Sequence, residues 1–276
     1  MSKRQALQEF KSELHISHSQ IFTYLNCSLK YYFQYVKHRP PERTSIALPF
    51  GSAIHAAIEM YYRSMKNSVH PEPLEAIIGR FEDCLSLDLD HTDIPVIFKK
   101  DMPDKDGAMA MGKAILKAFY ESVDLKAMEI VDVEMPLSAS LYTGEGTPTD
   151  FKLIGVIDLL LMDENRELIV VDNKTAAKPM AQSTADDDNQ MTAYSYLLAS
   201  NKFVFPTAPV KCRFDLLRKL KKPKVEHVYT SRSAADRKRF AKISNAVLAG
   251  IDAKIFMPAR SWMCGDCAHS KACQAW

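Results

Sequence analysis

Two strongly apolar stretches in the middle of the chain constrain its fold most, because each one carries a single acidic residue. They are LIGVIDLLLM at 153–162, which contains Asp158, and LIVVDNKT at 168–175, which contains Asp172. Runs of this length and composition are typical of buried β-strands, and the short segment 164–166 between them predicts a hairpin. A buried carboxylate is costly without a partner, so both aspartates call for a chemical explanation.

Lys174 completes the pattern, because it lies two positions after Asp172 and side chains at i and i+2 share one face of a strand. Pairing of the two strands can bring Asp158 to the same face. Such oxygen ligands favour Mg²⁺ or Mn²⁺, which polarise a phosphate and activate a bound water. A lysine can orient or deprotonate that water, or stabilise charge on the phosphate. The pattern predicts metal-assisted phosphodiester hydrolysis, and the alternative is a structural Asp–Lys ion pair at the strand ends.

The rest of the chain predicts helices around a sheet. Apolar residues recur at helical spacing in six segments, at about 17–36, 50–65, 72–87, 107–122, 190–200 and 232–254. Alternating patterns predict a strand from about 128 and a hairpin formed by VKCRFDLLRK and KVEHVYTS. Because no linker separates these elements, we expect a single domain. Its parts are a mainly helical region at about 1–125, a catalytic sheet core at about 126–230, and a helix with a tail at about 231–276.

Three of the six cysteines crowd into the last 13 residues, as Cys264-x2-Cys267-x5-Cys273. A Cys-x2-Cys pair places two sulfurs within reach of one metal ion or cluster, and a third thiol nearby strengthens this interpretation. Three thiolates leave one ligand position open. Cys27 is the best candidate for that position, and a zinc site completed by His269 is the alternative.

The other two cysteines, Cys84 and Cys212, show no ligand spacing and are expected to pack as small apolar side chains. The segment MSKRQALQEFKSELH has no apolar core, so we do not predict a secretory signal. No uncharged apolar run approaches the length of about 18 residues that a membrane-spanning helix requires. We therefore expect a cytoplasmic protein whose cysteines are thiols or metal ligands.

The formal net charge of +2 hides an uneven distribution. Between Lys211 and Lys242 the chain carries twelve Lys and Arg residues against three acidic ones, whereas acidic residues outnumber basic ones between Arg80 and Asp106. A basic hairpin and helix beside an acid-rich site would bind phosphates, and such binding would weaken steeply with salt. We expect DNA as the partner, with region 211–242 facing it; the alternative is an ordinary solvated face.

Taken together, these residues resemble the PD-(D/E)XK nucleases, in the RecB-like branch. The matching motifs are Asp158 in GVID, Asp172-Asn173-Lys174, Gln190-x3-Tyr194 and, upstream, GSAIH ending at His55. SHSQIFTYLNCSLKYYFQYV is similar to the branch's N-terminal helix, and the terminal cysteines are similar to the remaining cluster ligands of CRISPR-associated and AddB-type iron–sulfur exonucleases. Two departures are Ser28, where proline is usual, and Asp172, where glutamate is commoner.

The resemblance implies a restriction-endonuclease-like α/β fold, in which helices flank a central mixed β-sheet, with a helical N-terminal region and a cysteine-rich C-terminal segment. The implied ligands of Mg²⁺ or Mn²⁺ are His55, Asp158, Asp172 and the carbonyl of Asn173. Lys174 would be the catalytic lysine, while Gln190 and Tyr194 would position DNA or that lysine. Glu134, on the preceding strand, could supply another carboxylate.

The resemblance also implies a structural [4Fe-4S] cluster that ties the first helix to the tail. Its implied ligands are Cys27, Cys264, Cys267 and Cys273, and zinc held by the same four cysteines is the alternative. The implied activity is that of a metal-dependent DNA exonuclease, rather than an endonuclease, acting on single strands or free ends. Such an activity would serve DNA repair, recombination or CRISPR-type processing in a bacterium, an archaeon or a phage. A recombination, helicase or CRISPR-integration protein would be the protein partner, and we expect no membrane association. The other class considered is a non-catalytic DNA-binding or adaptor subunit that carries the cluster.

Overall fold

A computed structural model of the chain describes residues 3–68 and 70–276. Its strands are β1 (His15–Ser17), β2 (Thr44–Ser45), β3 (Val96–Ile97), β4 (Met128–Tyr142), β5 (Pro148–Asp163), β6 (Leu168–Ala176), β7 (Val210–Arg218) and β8 (Lys224–Arg232). Its α-helices are α1 (Lys3–Ser12), α2 (His18–Asn26), α3 (Ser28–Tyr31), α4 (Ala47–Ser68), α5 (Leu74–Asp90), α6 (Lys105–Ser122), α7 (Gln182–Asp186), α8 (Asn189–Ser200), α9 (Ala234–Asp252) and α10 (Ser270–Gln274). A π-helical turn (Tyr32–Val36) follows α3, and a 3-10 turn (Trp262–Asp266) precedes α10. None of these helices is long and apolar enough to cross a membrane.

The main sheet of the described residues has six strands in mixed orientation. β5 lies antiparallel to β4 on one side and to β6 on the other, while the short β1 pairs in parallel with the first half of β5. β6 runs parallel to β7, and β7 and β8 form the predicted antiparallel hairpin. β2 and β3 form a separate parallel pair. The predicted central mixed sheet is therefore confirmed.

Helices cover both faces of this sheet, and each face buries its own apolar cluster. On one face α2, α8 and α9 pack against residues such as Val170 and Phe214. On the other face α4, α5 and α6 pack against residues such as Ile169 and Val171. Successive residues of β6 thus alternate between two buried clusters, which explains why the strand reads as one apolar run.

Glycine at position 155 lets helix α8 lie close to β5. A Cβ atom at Gly155 would come within 2.9 Å of Leu197 Cδ1, closer than side chains normally pack. Residues 191–198 of α8 are all buried, so the helix is fixed between the sheet and α9. Its first turn is thereby held over β6, where Asp172 lies.

The alternation of side chains along β5 breaks at Asp158. Ile157 belongs to the cluster on one face, whereas Leu159 belongs to the cluster on the other face. Opposite this point in β4, Glu134 has a φ of 52°, a left-handed conformation that is uncommon for a residue with a side chain. Asp158 consequently faces His55 on α4, while Asp172 faces Gln190 on α8.

The prediction of one continuous helix through Cys27 is wrong. Cys27 is extended, with φ −163° and ψ 100°, and separates α2 from α3. The C-terminal segment explains the break, because Met257 accepts a hydrogen bond from the Leu29 amide (3.1 Å) and donates one to the Ser28 hydroxyl (2.9 Å). Contacts with a segment 230 positions away therefore override the local helical pattern.

Candidate active site and cysteine pocket

Three side chains from three elements converge beside the sheet. They are His55 of α4, Glu134 of β4 and Asp158 of β5, and one ligand atom from each lies within 4.8 Å of the others. His55 Nδ1 is 3.4 Å from Asp158 Oδ2, which also accepts a hydrogen bond from the Asn173 amide at 3.0 Å. Among residues 3–68 and 70–276, no other trio of His, Cys, Asp or Glu has this spacing.

These side chains open into a cleft of about 550 Å³ between the first turns of α4 and the sheet. Lys3 of α1 reaches into the cleft, where its Nζ lies 2.5 Å from Glu134 Oε2. The buried side-chain oxygen of Asn173 has no hydrogen-bond partner among the described residues. A cleft that attracts an ammonium, exposes two carboxylates and holds an unpartnered oxygen fits a hard divalent cation such as Mg²⁺ or Mn²⁺.

A second group of side chains lies on the α8 side of β6. Lys174 Nζ is 2.7 Å from Asp172 Oδ2 and donates a hydrogen bond of 2.8 Å to Gln190 Oε1. Gln190 Nε2 donates to Asp172 Oδ1 at 2.8 Å and to the Tyr194 hydroxyl at 2.7 Å. The structure thus brings together all four of these sequence-predicted residues in one hydrogen-bond network.

The charges of this region shift the pKa values of its groups. Burial, reinforced by the nearby carboxylates of Asp172 and Glu134, raises the pKa of Asp158 well above its ordinary value. Burial opposes the charge of Lys174, but the carboxylates of Asp172 and Asp158 outweigh it and raise the lysine pKa. Burial also raises the pKa of Tyr194, so its phenol is neutral. At neutral pH Lys174 is therefore an ammonium that donates hydrogen bonds.

The first turn of α8 is itself held in place by buried polar groups. Asp188 caps the helix by accepting hydrogen bonds from the amides of Gln190 and Met191, at 2.8 and 2.9 Å. Arg232, which is 1% exposed, donates to the carbonyl of Asp188 and to the Thr192 hydroxyl. The sequence interpretation missed this role for Arg232, because it counted the residue among those facing DNA.

The structure separates the sequence-predicted metal ligands into two groups. His55 and Asp158 lie with Glu134, which the sequence indicated only as a further carboxylate. Asp172, which is fully buried, instead contacts Lys174 and Gln190. The main-chain amide of Asn173 joins the groups, since it donates to Asp158 from the position next to Asp172.

The four cysteines singled out in the sequence surround one cavity of about 470 Å³. All four are free thiols, and Cys27 and Cys273 also pack against Leu29 and Phe33. Burial, together with the neighbouring thiols of Cys27, Cys267 and Cys264, raises the pKa of Cys273. A cavity lined by four thiols fits a metal ion or an iron–sulfur cluster.

The cavity also contains His269, the alternative zinc ligand. Its ring is 2% exposed, lies 5.8 Å from the Phe33 ring centroid, and has an Nδ1 atom with no hydrogen-bond partner among the described residues. Burial lowers the pKa of His269, which keeps the imidazole neutral. The remaining cysteines are placed as expected, since Cys212 is buried and Cys84 packs partly buried against α4, α5 and α6.

The expected DNA-facing segment 211–242 is only partly a charged surface. Four of its arginines are 1–7% exposed: Arg213, Arg218, Arg232 and Arg237. Their guanidinium groups bind buried partners, such as the bidentate pair of Arg213 with Asp215 at 2.7 and 2.9 Å. Because these cations are enclosed in the protein, the prediction that the whole segment presents positive charge to DNA is wrong for them.

Comparison with known proteins places the chain in a family. The model of the PD-(D/E)XK nuclease superfamily matches residues 15–274, so the chain belongs to this superfamily. The crystal structure of a Eubacterium rectale protein, provisionally described as an exonuclease, has the same fold with a TM-score of 0.58 and 12% identity, over 98% of this chain and 92% of that one. Another solved structure, SSO0001, has a TM-score of 0.37 and 13% identity, over 99% and 94% of the two chains. No curated protein matches the sequence.

Proposed function

We propose that the protein is a metal-dependent DNA exonuclease acting on single strands or free ends, as one nuclease domain. The observation that carries the proposal is the Lys174–Asp172–Gln190 network beside the trio His55, Glu134 and Asp158. Membership of the PD-(D/E)XK nuclease superfamily supports nuclease chemistry, and the provisional description of the E. rectale protein favours an exonuclease. Repair, recombination or CRISPR-type processing would use this activity.

His55 and three carboxylates would hold Mg²⁺ or Mn²⁺ in the cleft. The carboxylates are those of Glu134, Asp158 and Asp172, and the carbonyl of Asn173 would complete the set. When bound, the metal ion would polarise the scissile phosphate and lower the pKa of a water molecule. Burial and the neighbouring carboxylates raise the pKa of Asp158, and a cation bound beside it would favour its ionised form.

Lys174 would bind the nucleophilic water and the phosphate by hydrogen bonds, because it is charged at neutral pH. Asp172 and Gln190 fix the direction of its ammonium, at 2.7 and 2.8 Å. Tyr194 in turn orients the Gln190 amide, so the lysine is aligned before substrate arrives. Such preorganisation avoids the cost of ordering charged groups during the reaction.

We further propose that the four cysteines of the pocket hold a structural [4Fe-4S] cluster. All four cysteines line one cavity, which would allow them to share one metal group. The similarity of their pattern to that of the iron–sulfur exonucleases favours the cluster over zinc, and its role would be to join Cys27 to the tail.

The decisive experiment is digestion of end-labelled single- and double-stranded DNA with Mg²⁺ or Mn²⁺, with EDTA as the metal-free control. We expect shortening from free ends that vanishes with EDTA. The variant Lys174→Ala should lose cleavage by about 10³-fold or more while keeping its thermal unfolding midpoint. Full activity in this variant would contradict the proposed mechanism, and DNA binding without any cleavage by the unmodified protein would indicate a non-catalytic subunit.

A further inference from the structure

A groove joins the active-site cleft to the cysteine pocket. Its volume is about 590 Å³, and it shares Leu48 and Ser52 with the cleft and Lys30 and His269 with the cysteine pocket. Leu48 and Ser52 are exposed on the first turns of α4, one to two turns before His55. We call this continuous surface the bridging groove. It gives an extended ligand a path that ends at the candidate metal site.

The cations of the bridging groove form no close ion pairs within the described residues, although Arg39 lies near enough to Glu42 to interact with its carboxylate. Lys30, Arg39 and Arg43 line it, and within the described residues none of their charged nitrogens lies within 4.0 Å of a carboxylate. Of the two acidic residues in the lining, Asp266 is already paired with Lys99. The groove is therefore net positive where it is open to solvent, in contrast to the enclosed arginines of segment 211–242.

The lining combines polar groups that suit a phosphate backbone with apolar side chains such as Leu48, Leu89 and Ile94. Gln34, Thr44 and Ser45 add neutral hydrogen-bonding groups along the groove between the cations. Lysine, arginine, hydroxyl and amide groups are the usual contacts of phosphate and sugar oxygens. Cations and hydrogen-bonding groups beside apolar side chains suit a single strand, which presents both its phosphates and its bases to the protein.

The tail that carries the cysteines forms one wall of this groove. Glu42 donates its amide to the carbonyl of Ala268 at 2.8 Å, and Arg43 Nε donates to the carbonyl of Cys267 at 3.2 Å. Ala268 and His269 of the tail then line the groove together with Leu48 and Ser52 of α4. Positioning of this wall thus depends on the tail segment that carries three of the four cysteines of the pocket.

We propose that the bridging groove binds the phosphate backbone of single-stranded DNA and guides the strand from the cysteine pocket to the candidate metal site. This inference rests on the proposed nuclease function and adds the route of the substrate. Lys30 and Arg39 are the residues that contact phosphates, and Arg43 joins them while also supporting the tail.

The test measures binding of a fluorescent oligothymidylate of about 20 nucleotides, longer than most single-strand binding sites, with EDTA present. Each lost phosphate contact lowers the affinity about fivefold at 0.1 M salt and the salt slope by about 0.7. Lys30→Ala combined with Arg39→Ala should therefore weaken binding about 25-fold and reduce the slope by about 1.4. The matched control removes two exposed cations that lie outside segment 211–242 and outside the groove, Lys117→Ala on α6 with Lys126→Ala after that helix, and should bind within about twofold of the unmodified protein, because salt screens distant charges.

Equal losses of DNA affinity in the two double variants, or unchanged affinity in the groove variant, would overturn the proposal that the groove binds DNA. Should the groove variant prove unstable, Gln34→Glu, which changes charge at constant size, is expected to weaken binding about fivefold. Cleavage assays with Mn²⁺ separate the two proposals. A raised KM with unchanged kcat in the groove variant supports both the nuclease function and the role of the groove. Groove-dependent binding without cleavage by the unmodified protein refutes the nuclease function alone. Cleavage with an unaltered KM in the groove variant refutes the role of the groove alone.

Discussion

At the candidate active site, Gln190 joins Asp172, Lys174 and Tyr194 through three side-chain hydrogen bonds, whereas the thiols of Cys27 and Cys264 contact main-chain atoms of the tail. The first site is built on two strands and a buried helix, which align it through protein contacts alone. The second is built from a helix break at Cys27 and a tail with two short helical turns. Comparison of the two shows where the protein is preorganised and where it depends on the group that it would hold.

The largest expected effect is a loss of catalytic rate without a loss of folding stability when a candidate metal ligand is removed. Asp158→Asn should lower kcat with Mn²⁺ by about 10³-fold, equivalent to about 4 kcal/mol of activation free energy. Burial raises the pKa of Asp158 above its ordinary value of 3.8. At pH values above 3.8, ionisation of this carboxyl group in the folded state therefore lowers the free energy of unfolding. The variant should therefore unfold at the same or a higher temperature than the unmodified protein in EDTA at pH 7.

Asp163→Asn is the matched control for this change, since Asp163 lies at the hairpin end of β5, five positions after Asp158, and pairs with Lys211. It should retain full activity. Comparable losses of kcat in Asp158→Asn and Asp163→Asn would show that the trio of His55, Glu134 and Asp158 has no special part in catalysis.

The next effect should fall on folding and spare chemistry. Cys27→Ser removes one thiol of the pocket, and because ligand binding there would contribute directly to folding, we expect a loss of about 3 kcal/mol and a midpoint lower by about 6 °C. Cys84→Ser is the control, because Cys84 lies apart from the pocket. Thermal unfolding followed by circular dichroism provides the measurement. If both variants unfold alike, the pocket contributes no special stability.

A smaller effect concerns alignment within the active site. Gln190→Ala leaves Lys174 and Asp172 in place but removes their shared amide, and should lower kcat about 30-fold, or about 2 kcal/mol, with little change in KM. Gln182→Ala, at an exposed glutamine of α7, should leave kcat unchanged. A large rise in KM for Gln190→Ala, with kcat intact, would instead assign this residue to DNA binding.

The smallest effect concerns acid stability beside the active site. Burial lowers the pKa of His18 to about 4, despite the favourable charge of Asp188, and Lys174 adds to the shift. The folded state therefore binds fewer protons than the unfolded state between pH 6.5 and 4, so stability present above pH 6.5 is lost as the pH falls. Denaturant unfolding at pH 7.5 and 4.5 should show that His18→Gln loses about 1–2 kcal/mol less than the unmodified protein.

His91→Gln, at an exposed histidine that ends α5, should behave as the unmodified protein does at both pH values. If His18→Gln shows the same acid lability as His91→Gln, protonation of His18 does not contribute to unfolding.

Local sequence patterns predict most of the sheet and its helices. The strands β5 and β6 follow from their apolar runs, and α9 from its helical periodicity, because both patterns depend on near neighbours in the chain. The shared face of Asp172 and Lys174 follows from their spacing on one strand, whereas the resemblance alone placed Gln190 with them, since its approach depends on how α8 packs against β5. The close contact at Gly155 is the physical basis of that packing.

Features set by distant contacts could not be read from local patterns. The break at Cys27 is accompanied by hydrogen bonds with Met257, and the irregular alternation of β5 at Asp158 lies opposite the left-handed backbone of Glu134. The burial of Arg232 likewise depends on the junction between α7 and α8. In each case tertiary structure overrides a tendency that the sequence shows locally.

The pairing of residues 28 and 29 with Met257 has a consequence for biosynthesis. A ribosome that adds about 5–20 residues per second needs roughly 10–50 s to proceed from Cys27 to the segment that binds it. During that time the Cys27 thiol has emerged without the three thiols that share its cavity. The pocket is therefore completed only once Cys273 has been synthesised, and any inorganic group that requires all four sulfurs is acquired after every strand of the sheet has been translated.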